Sequence, residues 1–518
     1  MKAAELLPER FNVAAHFVDR NVAEGRGGRL AFLCQGRDVT YADLLELTNR
    51  TGNALLELGV APGERVLVAC LDTPEFLGAF WGAIKIGAVP VPVNTLLRAP
   101  DYLYQLNDSG AKVAVVSEPL LGELGRALAG AKGVERVLVG GGPAGGHLSL
   151  EERQAKASPR LDPAPTGRDD PAFWLYSSGS TGFPKGAVHL HHDMVICAET
   201  YAKQVLGIKP DDRVLSAAKL FFAYGLGNAG YFPLAVGAHA VLFPQRPTPQ
   251  AMFEAIASRR PTLFFAVPTL FAAMLAVKDA EKQYDTKSLR LCVSAGEALP
   301  PELLQRWRER FGVDILDGIG TTETLHMFVS NLPGEIRPGY AGKAVPGYAA
   351  IVVDDAGRLV PDGEVGNLRI QGDSTMSHYW NQPEKTRATL FGEWIQTGDK
   401  FIREEDGWLR YCGRSDDMLK VGGIWVSPVE VEATLVAHQA VLEAAVVGRE
   451  DEQKLVKPVA YVVLKDAAHA SEAFADELRE FVKARLAPYK APRAIEFVKD
   501  LPKTATGKIQ RFKLRAPA

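Results

Sequence analysis

Cysteine is scarce. The 518 residues hold five, Cys34, Cys70, Cys197, Cys292 and Cys412, with no C-x-x-C pair among them. That spacing excludes a disulfide framework and a zinc ribbon, and it fits reduced core thiols in a cytosolic protein. An excess of one charge is missing too. Against 62 Asp and Glu stand 59 Lys and Arg, a formal net charge of −3, so neither nucleic acid nor an anionic membrane is indicated as the main partner. The opening stretch MKAAELLPERFN carries charges where a signal peptide needs an apolar run. Long hydrophobic runs are absent as well. Residues 220–245 have no formal charge, but Gly225, Gly227, Gly230, Gly237, Asn228, Pro233 and Pro244 interrupt them. A spanning helix needs ~20 mostly apolar residues, so this segment is expected to be a buried, turn-rich piece. No internal repeat is found.

What is present is an ordinary globular composition, 47% hydrophobic and 23% charged. Short β-branched runs alternate with helical patterns. RVLVAC (65–70), KVAVVS (112–117), RVLVG (136–140), TLFFAV (262–267) and RLCVS (290–294) predict buried strands. Residues 41–58, 74–85 and 301–311 carry apolar residues at helical spacing. This alternation predicts an α/β fold with mainly parallel strands. The Gly-, Pro- and charge-rich stretch 140–171 reads as a surface connection. A second break falls at GRSDD (413–417). Beyond it a helix (428–438), two strands (441–448, 457–465), a helix (471–486) and a last strand (494–499) predict a small α+β unit of roughly 100 residues. The expected division is a large multi-subdomain N-terminal α/β domain, 1–415, and a small mobile C-terminal domain, 416–518.

The strongest local signal is YSSGSTGFPKGAV (176–188). An apolar strand runs into Ser177, Ser178, Gly179, Ser180, Thr181, Gly182 and Lys185. Small residues let backbone N–H groups approach an anion, hydroxyls add donors, and the lysine adds charge, so the loop suits a polyphosphate. It is not a Walker loop, because only two residues separate Gly182 from Lys185. Two other patterns are decoys. GLGNAG (225–230) matches G-x-G-x-x-G, but Pro233 comes too early for a following helix and no acidic residue stands about 20 positions on. HLHHD (189–193) has no Cys/His partner group and is expected to be structural or N-capping.

SSGSTGFPKG resembles the phosphate-binding signature of the adenylate-forming superfamily, which includes acyl-CoA and aryl-CoA ligases and luciferases. IGTTE (319–323), TGD (397–399), GRSDDMLKVGGIWVSP (413–428) and PKTATGKIQR (502–511) resemble its later motifs, in the same order. The resemblance spans nearly the whole chain. It implies a carboxylic acid activated by ATP, with Mg²⁺, to an acyl-adenylate. Ser177 to Lys185 would hold the β- and γ-phosphates, Thr322 the α-phosphate and Glu323 the Mg²⁺. Asp399 would bind the ribose hydroxyls, and Arg414 would add donors nearby. Gly296, Glu297, Ala298 and Asp317, Gly318, Ile319, Gly320 and Thr321 would frame the adenine. Ile319 departs from the family, standing where a tyrosine usually stacks on the base. Lys508 would reach the carboxylate and bridging oxygen from the small domain. Asp416 would be the hinge, and rotation there would bring Lys420, Gly422, Gly423 and Trp425 to the site as a path for coenzyme A.

The acid pocket implied by the superfamily falls on Phe222, Ala223, Tyr224, Gly225, Gly296, Ile319, Leu325, His326 and Met327. These are compact, aromatic-rich and without fixed charge, suited to a flat ring. SSGSTGFPKGAVHLHHDM and KLFFAYGLGNAGYFPL are similar to benzoate-CoA ligases. That implies benzoate, ATP and CoA giving benzoyl-CoA, AMP and diphosphate, in aromatic degradation. Either His326 or Tyr224 is a candidate contact for a ring substituent. The alternatives are a substituted benzoate such as 2-aminobenzoate, delivery to a carrier-protein thiol, and a non-catalytic nucleotide-binding relative. The expected setting is cytoplasmic, as a monomer or homodimer.

Overall fold

The computed structural model describes residues 2–177, 183–421, 424–450, 456–503 and 509–515. A nine-stranded sheet is built around six parallel strands: Ile315–Gly320, Leu291–Ser294, Leu263–Ala266, Arg213–Ser216, His239–Leu242 and Leu30–Cys34, in that spatial order. Antiparallel strands close both edges. A second sheet is wholly parallel and runs Val89–Pro92, Arg65–Ala69, Val113–Ser117, Arg136–Gly140, Leu148–Ser149. The β-branched runs predicted from sequence supply its three central strands, buried on both faces.

Helices Tyr41–Glu57 and Pro74–Lys85 pack face to face between the sheets. Thr40 starts the first with a capping box to Asp43. Their contact is backbone-close: a Cβ on Gly82 would lie 2.9 Å from the Gly52 nitrogen. Lys85 ends buried in this layer, its Nζ 2.5 Å from Asp19 Oδ1 and 2.7 Å from Asn49 Oδ1, the pairing that a buried charge requires.

The remaining sheets are antiparallel. Pro171–Ser177 pairs with Lys185–Leu190, and His378–Tyr379 joins on the far side. Ala349–Val353, Val365–Gln371, Trp394–Arg403, Leu390–Phe391 and Leu409–Arg414 form a five-stranded sheet. After the turn at 415–417 comes the small C-terminal α+β part. It has a hairpin (Leu419–Val421, Ile424–Val426) and a three-stranded sheet (Val441–Glu450, Val456–Leu464, Ala494–Phe497). The helices Pro428–Val436 and Glu472–Lys483 pack with them around a separate apolar core. Among the described residues no helix is long and apolar enough to cross a membrane.

Two expectations are corrected. The 140–171 stretch is not all connection. Leu148–Ser149 is an edge strand, and Ser149 caps the helix Leu150–Lys156, which buries Leu150 and sends Gln154 Nε2 to Thr51 Oγ1 at 2.8 Å. GLGNAG is itself helical, within a run from Ala223 through π-type turns (Leu226–Tyr231) to Val236. Its glycines answer to crowding. A Cβ on Gly225 would fall 2.1 Å from the Lys219 carbonyl, and one on Gly227 2.3 Å from the His326 ring. Close approach overrides their poor helix propensity.

Candidate active site

The phosphate-loop motif sits on a β-hairpin. Ser177 and Lys185 face each other where its two strands end. Ser178, Gly179, Ser180, Thr181 and Gly182 lie outside the described residues. The root is gripped from the helix Ala99–Ser109. Tyr176 donates its hydroxyl to Asp108 Oδ2 (2.7 Å), Trp380 Nε1 donates to the Asp108 carbonyl (3.0 Å), and the Tyr104 hydroxyl donates to the Pro184 carbonyl (3.1 Å).

At the mouth a short network joins residues from four segments. Lys185 Nζ donates to the Tyr379 hydroxyl (3.1 Å) and lies 4.2 Å from that ring's centroid. Tyr379 donates to Glu323 Oε1 (2.6 Å), and Ser177 Oγ donates to the same oxygen (3.0 Å). Burial lowers the Lys185 pKa from its usual range. Burial and then the Glu323 carboxylate push the Tyr379 phenol up. Phenol and hydroxyl therefore remain donors to an acceptor-only carboxylate.

Thr322, Glu323 and Thr324 form a single 3-10 turn between the strands Ile315–Gly320 and Met327–Ser330. Thr321 and Thr324 close it through their hydroxyls (3.1 Å). The Met376 N–H donates to the Glu323 carbonyl (2.7 Å), and Ser374 Oγ donates to the Thr324 carbonyl (2.7 Å). Leu325 then reverses the chain at φ +66°. Gly318 and Gly320 admit that close crossing: a Cβ on Gly320 would lie 2.4 Å from the His326 carbonyl.

The structure brings the expected adenine residues together. Gly296 (φ +88°), Glu297 and Ala298 follow the strand Leu291–Ser294, beside Asp317 to Thr321 at the end of the neighbouring strand. Thr269 donates to Glu297 Oε2 (2.7 Å). Burial drives the Asp317 carboxyl well above the usual carboxylate range, and its Oδ1 has no hydrogen-bond partner among the described residues. Asp399 and Arg414 are cross-strand partners, with Nη1 3.1 Å from Oδ1. The carboxylate is buried and the guanidinium half-exposed.

The acid-side residues divide. Tyr224 and His326 lie with ring centroids 5.7 Å apart, and Tyr201 (5.1 Å) and Phe232 (4.5 Å) complete an aromatic cage around the histidine. Burial brings the His326 pKa down to about 3, so the ring is neutral, and Nε2 sits 3.1 Å from Asn228 Oδ1. The Tyr224 hydroxyl points away into the sheet, donating to the Val293 carbonyl (3.1 Å). That leaves His326 as the nearer candidate for a ring substituent. Ala223, Gly225 and Met327 are buried beside them, Phe222 is half-buried against Phe221, and Ile319 is half-buried. Leu325 has no exposed surface and packs in the main core, serving the turn.

Asp416 is exposed in the turn at 415–417, while its neighbour Asp417 pairs with Arg511 (3.7 Å) and Arg515. Lys420 and Trp425 face each other as backbone partners in the small hairpin; Gly422 and Gly423 lie outside the described residues. So does Lys508. On either side of residues 504–508, Lys503 and Ile509 form a bridge, and Lys503 is anchored to Glu443 (2.6 Å). Two histidines of the HLHHD motif have structural surroundings. His191 accepts from the Val13 N–H (3.1 Å), and burial lowers its pKa to about 4. His192 stands at a helix N-cap without a capping side-chain bond. No cluster of three potential metal-binding side chains occurs among the described residues. Sequence reasoning missed Tyr379 and Asp108, neither of which stands in a motif, and passed over Asn228 inside the GLGNAG pattern.

The AMP-binding enzyme family matches residues 19–380, and the AMP-binding enzyme C-terminal domain matches residues 430–508. Over 512 residues the chain is 53% identical to a benzoate–CoA ligase of Thauera aromatica, covering 98% of this chain and 97% of that one. A solved benzoate CoA ligase from Burkholderia xenovorans LB400 has a TM-score of 0.91 at 50% identity, covering 98% and 100% of the two chains. A solved anthranilate CoA ligase in complex with anthranoyl-AMP has a TM-score of 0.95 at 45% identity, covering 99% and 98%. With its ordered motifs, its large and small parts and these full-length likenesses, the chain belongs to the AMP-binding enzyme family.

Proposed function

We propose that the chain is an ATP-dependent aryl-CoA ligase, converting benzoate, ATP and CoA to benzoyl-CoA, AMP and diphosphate through a benzoyl-adenylate. The observation that carries this is the pairing of two unlike half-sites. The Lys185–Tyr379–Glu323–Ser177 network lies beside an aromatic cage whose histidine is neutral. The benzoate carboxylate attacks the α-phosphorus, an O–P bond forms, and diphosphate leaves with the electron pair. The chain's task is alignment and charge stabilisation.

In this reading Ser177 to Lys185 hold the β- and γ-phosphates, and Thr322 and Lys508 serve the reacting groups. Asp399 and Arg414 hold the ribose, and Gly296, Glu297, Ala298 and Asp317 to Thr321 frame the adenine. Asp317 offers its free buried oxygen to the base. Glu323 fits a magnesium ion: it is a single carboxylate next to the phosphate site, the donor set Mg²⁺ uses when phosphates supply the other ligands. Bound there, the ion would neutralise phosphate charge. The acid lies against Ala223, Tyr224, Gly225, His326 and Met327. The large domain runs 1–415 and the small one 416–518. Rotation at Asp416 exchanges Lys508 for the Lys420–Trp425 hairpin, and the CoA thiol then attacks the acyl carbon with AMP leaving. The setting is cytoplasmic, as a monomer or homodimer.

A substituted benzoate is the second reading, favoured by the likeness to a ligase that holds anthranoyl-AMP. Diphosphate release with benzoate, 2-aminobenzoate, 4-hydroxybenzoate, cinnamate, acetate and octanoate, each with and without CoA, tests both. Sustained CoA-dependent turnover on benzoate is expected. Preference for 2-aminobenzoate would install the second reading, and turnover only on cinnamate or octanoate would overturn both. Adenylation indifferent to CoA would point to a carrier-protein thiol.

A further inference from the structure

The HLHHD motif lies beside the site, yet the proposed binding of nucleotide and acid uses none of it. His191 and His192 have plain structural partners. His189 has a different environment. Its ring is fully buried, with Nδ1 2.7 Å from Asp193 Oδ2 and Nε2 2.8 Å from the carbonyl oxygen of Thr322, 133 positions away in sequence. One face stacks on Phe173, its cross-strand partner, at 5.2 Å and 18°.

Both ring nitrogens face oxygens. A carbonyl oxygen can only accept, as can an ionised carboxylate. The two contacts are satisfied with a proton on each nitrogen, or with Asp193 itself protonated and donating to Nδ1. Each arrangement gives the His189–Asp193 pair the same proton count and no net charge. Each also fixes Nε2–H on Thr322. Asp193 is held from behind: the Leu190 N–H donates to Oδ2 (3.1 Å), and His192 Nε2 lies 3.1 Å from Oδ1. His192 Nδ1 in turn faces the Arg168 carbonyl (3.0 Å) and Asp169 (3.1 Å).

Lys185 and His189 are four residues apart on one strand, so their side chains leave the same face. One reaches Tyr379 and through it Glu323; the other reaches Thr322, the residue before Glu323. The contacts close a ring: Lys185, Tyr379, Glu323, Thr322, His189, and back along the strand. We propose that His189, backed by Asp193, is a positioning residue for adenylation. It locks the Thr322–Glu323 turn to the phosphate-loop strand and so sets the spacing between Lys185 and Glu323 that ATP must bridge. This rests on the reading of those residues as ATP contacts.

The test uses the full chain with His189→Phe, which keeps a stacked ring but neither donor, and His189→Gln, which restores one. ATP affinity is measured by calorimetry without acid, and KM for ATP and benzoate by diphosphate release. For His189→Phe, both ATP constants are expected to rise about tenfold, the size of one lost polar contact, with the benzoate KM nearly unmoved. The Gln variant should recover part of the loss. Unchanged ATP affinity, or equal shifts for ATP and benzoate, would overturn the proposal. Should His189→Phe not fold, nitrogen-15 spectra of the unaltered protein decide. A protonated Nε2 whose signal moves on adding ATP supports the clamp; an unprotonated Nε2 overturns it. If the unaltered chain turns over no acid, the ligase reading fails, while the calorimetry still decides the role of His189.

Discussion

Around Glu323 a phenol and a serine hydroxyl donate to one carboxylate oxygen, and a lysine donates to the phenol from behind. Three residues on, His326 sits among Tyr201, Tyr224 and Phe232 with one amide contact, and burial keeps it neutral. The reversal at Leu325 separates the two environments. The nucleotide half is a set of charge-assisted contacts suited to an anion. The half around His326 is an apolar enclosure, and in the proposed reading its shape selects the acid. If the proposed reading holds, chemistry and specificity fall to neighbouring residues of one reversal, and substitutions should sort cleanly. Damage on the Glu323 side falls equally on every acid; damage on the His326 side falls on some acids and spares ATP.

The largest effect is expected from Lys508→Ala. Losing a stabiliser of the reacting groups should slow adenylation on the order of 10²-fold or more, while ATP still binds. The loss should be the same factor for benzoate and for each slower acid in the panel. A diphosphate-release rate equal to the parent's would remove Lys508 from the reaction. A loss that varies with the acid would break the division between the halves.

Tyr379→Phe comes next. It removes one hydroxyl, the bridge between Lys185 and Glu323. A hydrogen bond to a charged partner is worth about 1.5–3 kcal/mol, so KM for ATP should rise roughly tenfold or more with the benzoate KM unmoved. A benzoate KM that rises in step would show that the bridge supports the whole site rather than its nucleotide half.

Tyr379 also marks how far the sequence could be read. Strands at 65–70, 112–117 and 290–294 were legible because β-branched runs buried on both faces have few other places to go. The run 177–185 was legible because small residues, hydroxyls and a lysine together suit an anion. The partners of those residues were not. Tyr379 reaches Lys185 across 194 positions, only because the strand His378–Tyr379 pairs with the hairpin. Asp108 reaches Tyr176 from a helix whose surface pattern gives no sign of it. The glycines of 225–230 were read as helix breakers. In the fold they are the residues small enough to let a helix pass the Lys219 carbonyl and the His326 ring. Motifs disclose the groups that act, and tertiary pairing decides what holds them.

The smallest effects belong to His326, where two measurements converge. His326→Ala enlarges the cage. It should lower kcat/KM for benzoate by about tenfold, the scale on which apolar pockets discriminate, and favour bulkier rings while leaving the ATP KM alone. His326→Gln keeps a donor for Asn228 and tests burial itself. The folded ring has a pKa of about 3 against an ordinary 6.5, so between those values the unfolded chain binds more protons. The stability that the neutral ring contributes is whole above pH 6.5 and is lost as pH falls toward 3, at up to about 1.4 kcal/mol per pH unit. His16, His191 and His239 shift in the same direction, and Asp72, raised to about 6, acts in the opposite one. All four are present in parent and variant, so they cancel in the difference. Denaturant midpoints of the two proteins should therefore draw together from pH 6.5 to pH 5 and run parallel above it. Parallel curves throughout would mean that His326 meets solvent, and the acid half would then lose the dry enclosure that distinguishes it from the half around Glu323.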